Sequence, residues 1–368
     1  MAKRIIISGG GTGGHIFPAI AIANALKKVN PDIEILFVGA NGKMEMEKVP
    51  AAGYQIIGLD IQGFQRDNLL KNVLLPLKVI KSVTKALGII KDFKPDAVVG
   101  VGGYASGPLL YAAHLKKIPT LIQEQNSYAG ITNKFLAKKA RKICVAFDNM
   151  HAFFPADKII KTGNPVRKET INIEGKREEA AQFFELDPVQ KTVLVLGGSL
   201  GAKTLNDSLT AGIESFKKEN IQVIWQTGKY YYRSIIEKFG NQPKDNGVRI
   251  LEFLNRMDYA YAMADVIISR AGAGTISELC LVKKPVVLVP SPNVAEDHQT
   301  KNAMALVIEH AAVLVADRHA EAELVDQTIK LLKDDAEMQQ LSKNISALAL
   351  PEADEVIAKE VLSIIKNG

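Results

Sequence analysis

The sequence predicts an α/β chain built from two doubly wound parallel-sheet domains, and three observations carry that expectation. Short apolar runs of strand character alternate with amphipathic helical patterns along most of the chain. A strand, a glycine-rich loop and a helix follow one another at Ile5–Pro18 (IIISGGGTGGHIFP) and again at Thr192–Asn206 (TVLVLGGSLGAKTLN). At 368 residues the chain also exceeds one ordinary domain, since length divided by about 150 gives a prior of two.

In the first half the strand patterns are Arg4–Ser8, Glu34–Val38, Tyr54–Leu59, Asp96–Val101, Pro119–Gln123 and Lys142–Phe147. Continuous rather than alternating apolar runs suit a parallel sheet covered by helices on both faces. The second series is Thr192–Leu196, Ile221–Gln226, Arg249–Phe253, Asp265–Ser269, Pro285–Pro290 and Ala312–Ala316. Between the two, KTGNPVR at Lys161–Arg167 reads as a turn leaving the first domain, which places the domains at 1–165 and 166–351. Glu174–Phe184 then reads as the first helix of the second domain. Asp354–Lys366 reads as a C-terminal amphipathic helix with Val356, Ile357, Val361, Ile364 and Ile365 apolar.

Composition narrows the class. Hydrophobic content of 47% with 23% charged residues is ordinary for a globular protein. Cys144 and Cys280 lie far apart in apolar surroundings, which argues against a disulfide framework or zinc site and suits a reducing cytoplasm. MAKRIIISGGG breaks into glycines too early for a signal peptide, and no stretch approaches the roughly 20 apolar residues that span a bilayer. The net charge of +6 divides into +11 for residues 1–165 and −5 for the rest, so the first half is expected to face something anionic. Its lysines are not interleaved with stacking aromatics, which disfavours nucleic acid. In the helical pattern Leu69–Ile90, Lys71, Lys78, Lys81 and Lys85 form one stripe with Leu70 and Leu74 among them, while Val73, Leu77, Ile80, Val83 and Leu87 read as the core face. A lysine stripe interleaved with leucines suits an anionic lipid surface, though a solvated helix face has the same pattern.

The motifs point to a phosphate-bearing sugar nucleotide. Five glycines within Gly9–Gly14 let the backbone bring its N–H groups to an anion at a helix N-terminus, with Thr12 as a hydroxyl donor. His15 at the mouth of that loop is a candidate general base or cationic contact. Gly9, Gly11 and Gly14 also satisfy the dinucleotide fingerprint, but the second strand ends in Gly39, Ala40 and Asn41, without the acidic residue that would hold a ribose. In SRAGAGTISE, Gly272 and Gly274 permit close approach, and Thr275 and Ser277 are placed to cap the helix or donate to phosphate. Glu278 is placed either on the ribose hydroxyls or as a capping-box partner of Thr275. In AEDHQTKNA, Asp297, Gln299 and Asn302 suit sugar hydroxyls, and His298 lacks companions for a metal. GGYASGP supplies Tyr104 and Ser106, and QEQN supplies Glu124 and Asn126, both after apolar strands and so on the edge that carries the first loop.

Taken in order, GGGTGGHIFP, GGYASGP, EQNSYAG, GNPVR, GGSLGA, RAGAGTISE and DHQTKNA closely resemble the MurG family, spanning residues 5–303. These bacterial enzymes add N-acetylglucosamine to undecaprenyl-pyrophosphoryl muramyl-pentapeptide in peptidoglycan synthesis, and so serve cell-wall biogenesis, cell shape and division. The resemblance implies the GT-B fold, two Rossmann-like domains facing a cleft, with the C-terminal segment 352–368 returning to the first. It implies an inverting transfer from UDP-N-acetylglucosamine without metal or other cofactor, and a peripheral position on the cytoplasmic face of the inner membrane. By position, Thr12, Gly13, Gly14, Asn126, Arg167, Ser199, Leu254, Ala273, Gly274, Thr275, Ile276, Ser277, Glu278 and Gln299 would contact the donor. Tyr104 and Ser106 would lie on the acceptor side. His15 would be the base, with Glu124 as its substitute if His15 instead contacts the donor pyrophosphate. Gln123 and Leu200 depart from the His and Gln often found in the family. A UDP-sugar epimerase and a non-enzymatic nucleotide-binding protein are the competing classes.

Overall fold

The computed structural model describes residues 2–63, 75–240 and 247–366. These form two compact units, residues 1–166 with 350–368, and 167–349. In the first, β1 (Arg4–Ser8), β2 (Glu34–Ala40), β3 (Gln55–Leu59), β4 (Ala97–Gly100), β5 (Thr120–Glu124), β6 (Lys142–Val145) and β7 (Ile159–Lys161) make a sheet of order β3-β2-β1-β4-β5-β6-β7. All its pairings are parallel. β7 is an addition to the sequence reading, because two isoleucines between lysines give too short an apolar run to register.

Both faces of this sheet are covered. Ile5 and Ile7 of β1 pack with Ile16, Ile22 and Leu26 of α1 (Gly13–Val29) and with Ile357, Val361 and Ile364 of α15 (Ala353–Lys366). Ile6 faces the other way, toward Ala86, Ile89 and Ile90 of α3 (Leu75–Phe93) and Leu109 and Ala112 of α4 (Ser106–Leu115). Alternation of side chains along an extended strand produces this two-sided burial. The C-terminal helix is further tied to this unit by Lys142, which pairs with Glu360 and donates to Ser363 Oγ at 2.8 Å.

The second unit repeats the plan. β8 (Thr192–Leu196), β9 (Gln222–Gln226), β10 (Val248–Leu251), β11 (Val266–Ser269), β12 (Val286–Leu288) and β13 (Val313–Leu314) are ordered β10-β9-β8-β11-β12-β13 and pair in parallel. Val193, Val195 and Trp225 pack against Leu205, Leu209 and Phe216 of α8 (Lys203–Lys218) and Leu324 of α13 (Ala320–Lys333). In each sheet the strand order reverses beside the first strand, between β1 and β4 and between β8 and β11. Ligands of doubly wound sheets bind at the carboxyl ends of strands at such a switch point, which is where the glycine loops emerge.

The lysine-rich helix departs from expectation. Leu70, Lys71, Val73 and Leu74 lie outside the described residues. Of the residues read as core, Val83 and Leu87 pack against it, but Leu77 and Ile80 are 56% and 61% exposed. The buried stripe is instead Ser82, Ala86, Ile89 and Ile90, so the first turns of α3 extend beyond the sheet they would need for cover. Lys81 is exposed and Lys78 half-buried, whereas Lys85 donates to the Gly58 carbonyl at 2.8 Å. No described helix is long and apolar enough to cross a membrane.

Candidate functional site

At the first switch point the loop after β1 meets the loop after β4. A Cβ on Gly103 would lie 2.4 Å from the Gly10 carbonyl oxygen, and one on Gly102 would lie 2.6 Å from His15 Cδ2. Both glycines have positive φ, +98° and +89° at Gly102 and Gly103, so steric room and backbone conformation both demand glycine. His15, in the first turn of α1, places Nδ1 3.0 Å from Gly10 O and 3.2 Å from Thr12 Oγ1. A carbonyl oxygen only accepts, so Nδ1 carries the proton and Nε2 is the basic nitrogen. That nitrogen lies on the Gly102 side of the ring, 2.8 Å from where a Cβ would stand.

The glycine loop is not the open anion cradle that its sequence suggests. The Gly11 N–H donates to Glu45 Oε2 at 2.8 Å, and Ala40 N–H donates to Glu45 Oε1 at 3.0 Å. Glu45, the first residue of α2 (Glu45–Ala51), is 1% exposed. A carboxylate of the chain itself therefore takes up a loop amide that a phosphate would need. Sequence reading missed Glu45, since nothing local joins it to a loop 34 residues earlier.

The other first-unit candidates separate. Tyr104 is half exposed, its ring 3.8 Å from the Cβ position of Gly11. Ser106, expected on the acceptor side, is fully buried with Oγ turned toward Gly100, so its hydroxyl is out of reach of a substrate. Glu124 is buried and receives Asn126 N–H at 3.0 Å, Asn126 Nδ2 at 3.3 Å, Gly130 N–H at 3.0 Å and Asn133 Nδ2 at 2.8 Å. Four donors occupy both its oxygens, so it shapes the 126–130 loop, and the geometry favours His15 over Glu124 as the base. Gln123 is buried, donating to Asn164 Oδ1 at 2.9 Å in an amide network with Gln125, which keeps this family departure away from any substrate.

In the second unit, α11 (Ala273–Val282) starts directly after β11 with Gly272 as N-cap and no side chain capping it. Its first amides form an uncapped, positively polarised end that suits a phosphate. The capping roles foreseen for Thr275 and Ser277 are not taken: Thr275 lies inside the helix, and Ser277 Oγ donates to Ala273 O at 3.1 Å. Ala273 and Gly274 open the helix, while Ile276 turns its side chain into the core. Since Thr275 is not the N-cap, Glu278 is not a capping-box partner either. Glu278 Oε2 accepts from the hydroxyl of fully buried Tyr261 at 3.1 Å. Burial pushes the Glu278 carboxyl up, against the opposing pull of Arg167 and the Tyr261 hydrogen bond. Arg167, exposed at the start of α6 (Lys168–Ile171), thus brings positive charge beside Glu278.

Gln299, in the first turn of α12 (His298–Val307), accepts from Ala271 N–H at 3.2 Å and Ser291 N–H at 2.9 Å through Oε1, which turns its amide group to donate elsewhere. Asn302 is buried and donates to Ala271 O at 3.3 Å, and Asp297 Oδ1 accepts from Thr300 Oγ1 at 2.7 Å. Asn302 thus holds the loop from inside, whereas Asp297 is exposed. Ser199 and Leu200 are exposed on the loop after β8, and their carbonyls accept Lys229 N–H at 3.1 Å and Tyr230 N–H at 3.4 Å. Leu254 is buried, so only its backbone can meet a ligand. Among the described residues no group of three or more His, Cys, Asp or Glu side chains could hold a metal ion.

Residues 5–145 match the glycosyltransferase family 28 N-terminal domain and residues 192–359 its C-terminal domain. The chain is 58% identical to the UDP-N-acetylglucosamine–N-acetylmuramyl-(pentapeptide) pyrophosphoryl-undecaprenol N-acetylglucosamine transferase of Parabacteroides distasonis, over 98% of both chains. It is 57% identical to the same-named transferase of Bacteroides thetaiotaomicron, over 98% of this chain and 97% of that one. Among solved structures it resembles Acinetobacter baumannii MurG, with TM-score 0.81 and 30% identity over 98% of this chain and 99% of the other.

Proposed function

The chain belongs to the MurG family of glycosyltransferases, with GT-B domains, and from that premise we propose the chemistry its residues perform. It transfers N-acetylglucosamine from UDP-N-acetylglucosamine to the 4-hydroxyl of the muramyl sugar of lipid-linked muramyl-pentapeptide. The near-full-length identity of 58% to a transferase of that name supports the reading. The reaction is one inverting displacement. His15 Nε2 takes the acceptor hydroxyl proton as the oxygen attacks the anomeric carbon, the bond from that carbon to the UDP oxygen breaks, and an α-linked donor yields a β-1,4 product. General-base assistance of this kind is worth about 10² to 10⁴ in rate.

The leaving UDP gains negative charge, and we assign its stabilisation to the N-terminus of α11, which no side chain caps, together with the exposed Arg167 and Ser199. We assign the remaining donor contacts to Thr12, Gly13, Gly14, Asn126, the Leu254 backbone, Gln299 and Glu278, the last on the ribose. Helix dipole and guanidinium supply the positive charge for which many sugar-nucleotide enzymes recruit a divalent cation, so turnover should persist in EDTA.

Leu77 and Ile80, exposed beside Lys78 and Lys81, support a peripheral attachment of the first unit to the anionic cytoplasmic membrane face where a lipid-linked acceptor resides. The deciding experiment is transfer of labelled N-acetylglucosamine to a short-chain analogue of the lipid-linked muramyl-pentapeptide, with EDTA present. Labelled disaccharide product is expected. Donor binding without transfer would shift the function to a UDP-sugar epimerase or a nucleotide-binding role.

A further inference from the structure

Gly10 C=O and Gly11 N–H belong to one peptide group. The carbonyl accepts the His15 Nδ1 proton at 3.0 Å, and the amide donates to Glu45 Oε2 at 2.8 Å. A buried carboxylate and the candidate base are thus joined through a single peptide. Glu45 is locked in that pose. Its second oxygen accepts Ala40 N–H at 3.0 Å, and a Cβ on Gly10 or Gly39 would lie 2.2 Å from its Oε1 or 2.6 Å from its Cγ. A Cβ at either glycine, Gly10 in the loop after β1 or Gly39 within β2, would therefore collide with this side chain.

We infer that Glu45 is a positioning residue that acts through the Gly10–Gly11 peptide to hold His15 as the Nδ1–H tautomer, an inference that rests on His15 being the base. A carboxylate accepting from the N–H polarises the amide, and a polarised carbonyl is a stronger acceptor for the imidazole proton. Nε2 is thereby kept unprotonated and aimed. As His15 takes the acceptor proton, the positive charge forming on the ring is met by the same chain of dipoles. The arrangement does through a backbone amide what a directly bonded carboxylate does for a catalytic histidine. It also disfavours a second anion at the Gly11 amide.

The test is a double-mutant cycle with Glu45→Gln and His15→Ala, read by steady-state kinetics and by the ¹⁵N spectrum of His15 in histidine-labelled protein. Glu45→Gln keeps the volume but must turn its NH₂ toward an N–H donor. It should lower kcat about 10- to 100-fold with KM for the sugar nucleotide unchanged, as small misplacements of a reacting group do. The His15 signals should leave the Nδ1–H pattern, and Glu45→Gln should add nothing in the His15→Ala background. An unchanged kcat and tautomer, or a loss that adds in full to that of His15→Ala, would overturn the inference. Near-normal turnover of His15→Ala would remove the base assignment alone, and the tautomer shift in Glu45→Gln would still establish the linkage. If Glu45→Gln does not fold, Glu45→Asp, which keeps the charge and shortens the reach, should show the same tautomer change.

Discussion

Replacing Glu278 should move donor affinity and stability in opposite directions. This carboxyl is pushed up by burial and accepts a hydrogen bond from Tyr261. On the ribose it would accept two hydroxyl protons as a carboxylate. Hydrogen bonds to a charged group are worth about 1.5 to 3 kcal/mol each, so Glu278→Ala should cost about 3 kcal/mol of UDP binding, or roughly a hundredfold in Kd. Glu278→Gln keeps a single acceptor oxygen and should cost about tenfold. A raised carboxyl pKa means that the folded state holds the proton more tightly than the unfolded chain. The stability from that proton is complete below the ordinary carboxylate pKa and is lost as pH rises through the raised value. Above the raised pKa the ionised Glu278 is therefore a burden on the fold, and there Glu278→Gln should melt no lower than wild type. Wild-type UDP affinity should fall as pH drops through the raised pKa, and the Gln variant should lack that limb. Calorimetric titration with UDP across pH, paired with thermal melts, reads both effects. An unchanged Kd, or a Gln variant that loses stability while binding normally, would refute the assignment.

Three further outcomes follow from the same geometry. Gly102→Ala drives a Cβ to 2.6 Å from the His15 ring at a φ of +98°, so kcat should fall about a hundredfold with UDP affinity intact; a normal kcat would detach His15 from this loop. Ser106 Oγ is buried without a hydrogen-bond partner, so Ser106→Ala should leave acceptor KM unchanged and stability equal or higher, checked by kinetics and melting; a raised acceptor KM would return it to the acceptor site. Replacing Leu77 and Ile80 with Ser together with Lys78 and Lys81 with Glu should release the protein from anionic vesicles in sedimentation assays, since each lysine contributes about 1 kcal/mol and each apolar side chain about 1.5 to 3 kcal/mol when buried. Donor binding should be untouched, and retained vesicle binding would exclude this face.

The architecture was legible because it is written locally. Ile5, Ile6 and Ile7 announce a strand buried on both faces, and the glycines after Ser8 and Leu196 mark where each sheet reverses. β7 was missed for want of apolar length. The site was legible by position and less so by role. His15, Glu278 and Gln299 each face a plausible task, but the direction of a side chain depends on packing that no local pattern encodes. Ser106 and Gln123 turn inward, Glu124 is consumed by the loop that follows it, and Leu77 and Ile80 look like core by helical periodicity yet lie beyond the sheet. Glu45 was invisible because its partners, Gly11 and Ala40, come from the ends of two neighbouring strands and meet it only once β1 and β2 have paired.

The measurement that bears most directly on the account is the linkage of the product made from UDP-N-acetylglucosamine and a short-chain lipid-linked muramyl-pentapeptide, determined by NMR of the isolated disaccharide. A β-1,4 bond is the predicted result, because a single displacement at an α-linked donor must invert the anomeric centre. An α bond, attachment at another hydroxyl, or release of free sugar without a disaccharide would contradict it.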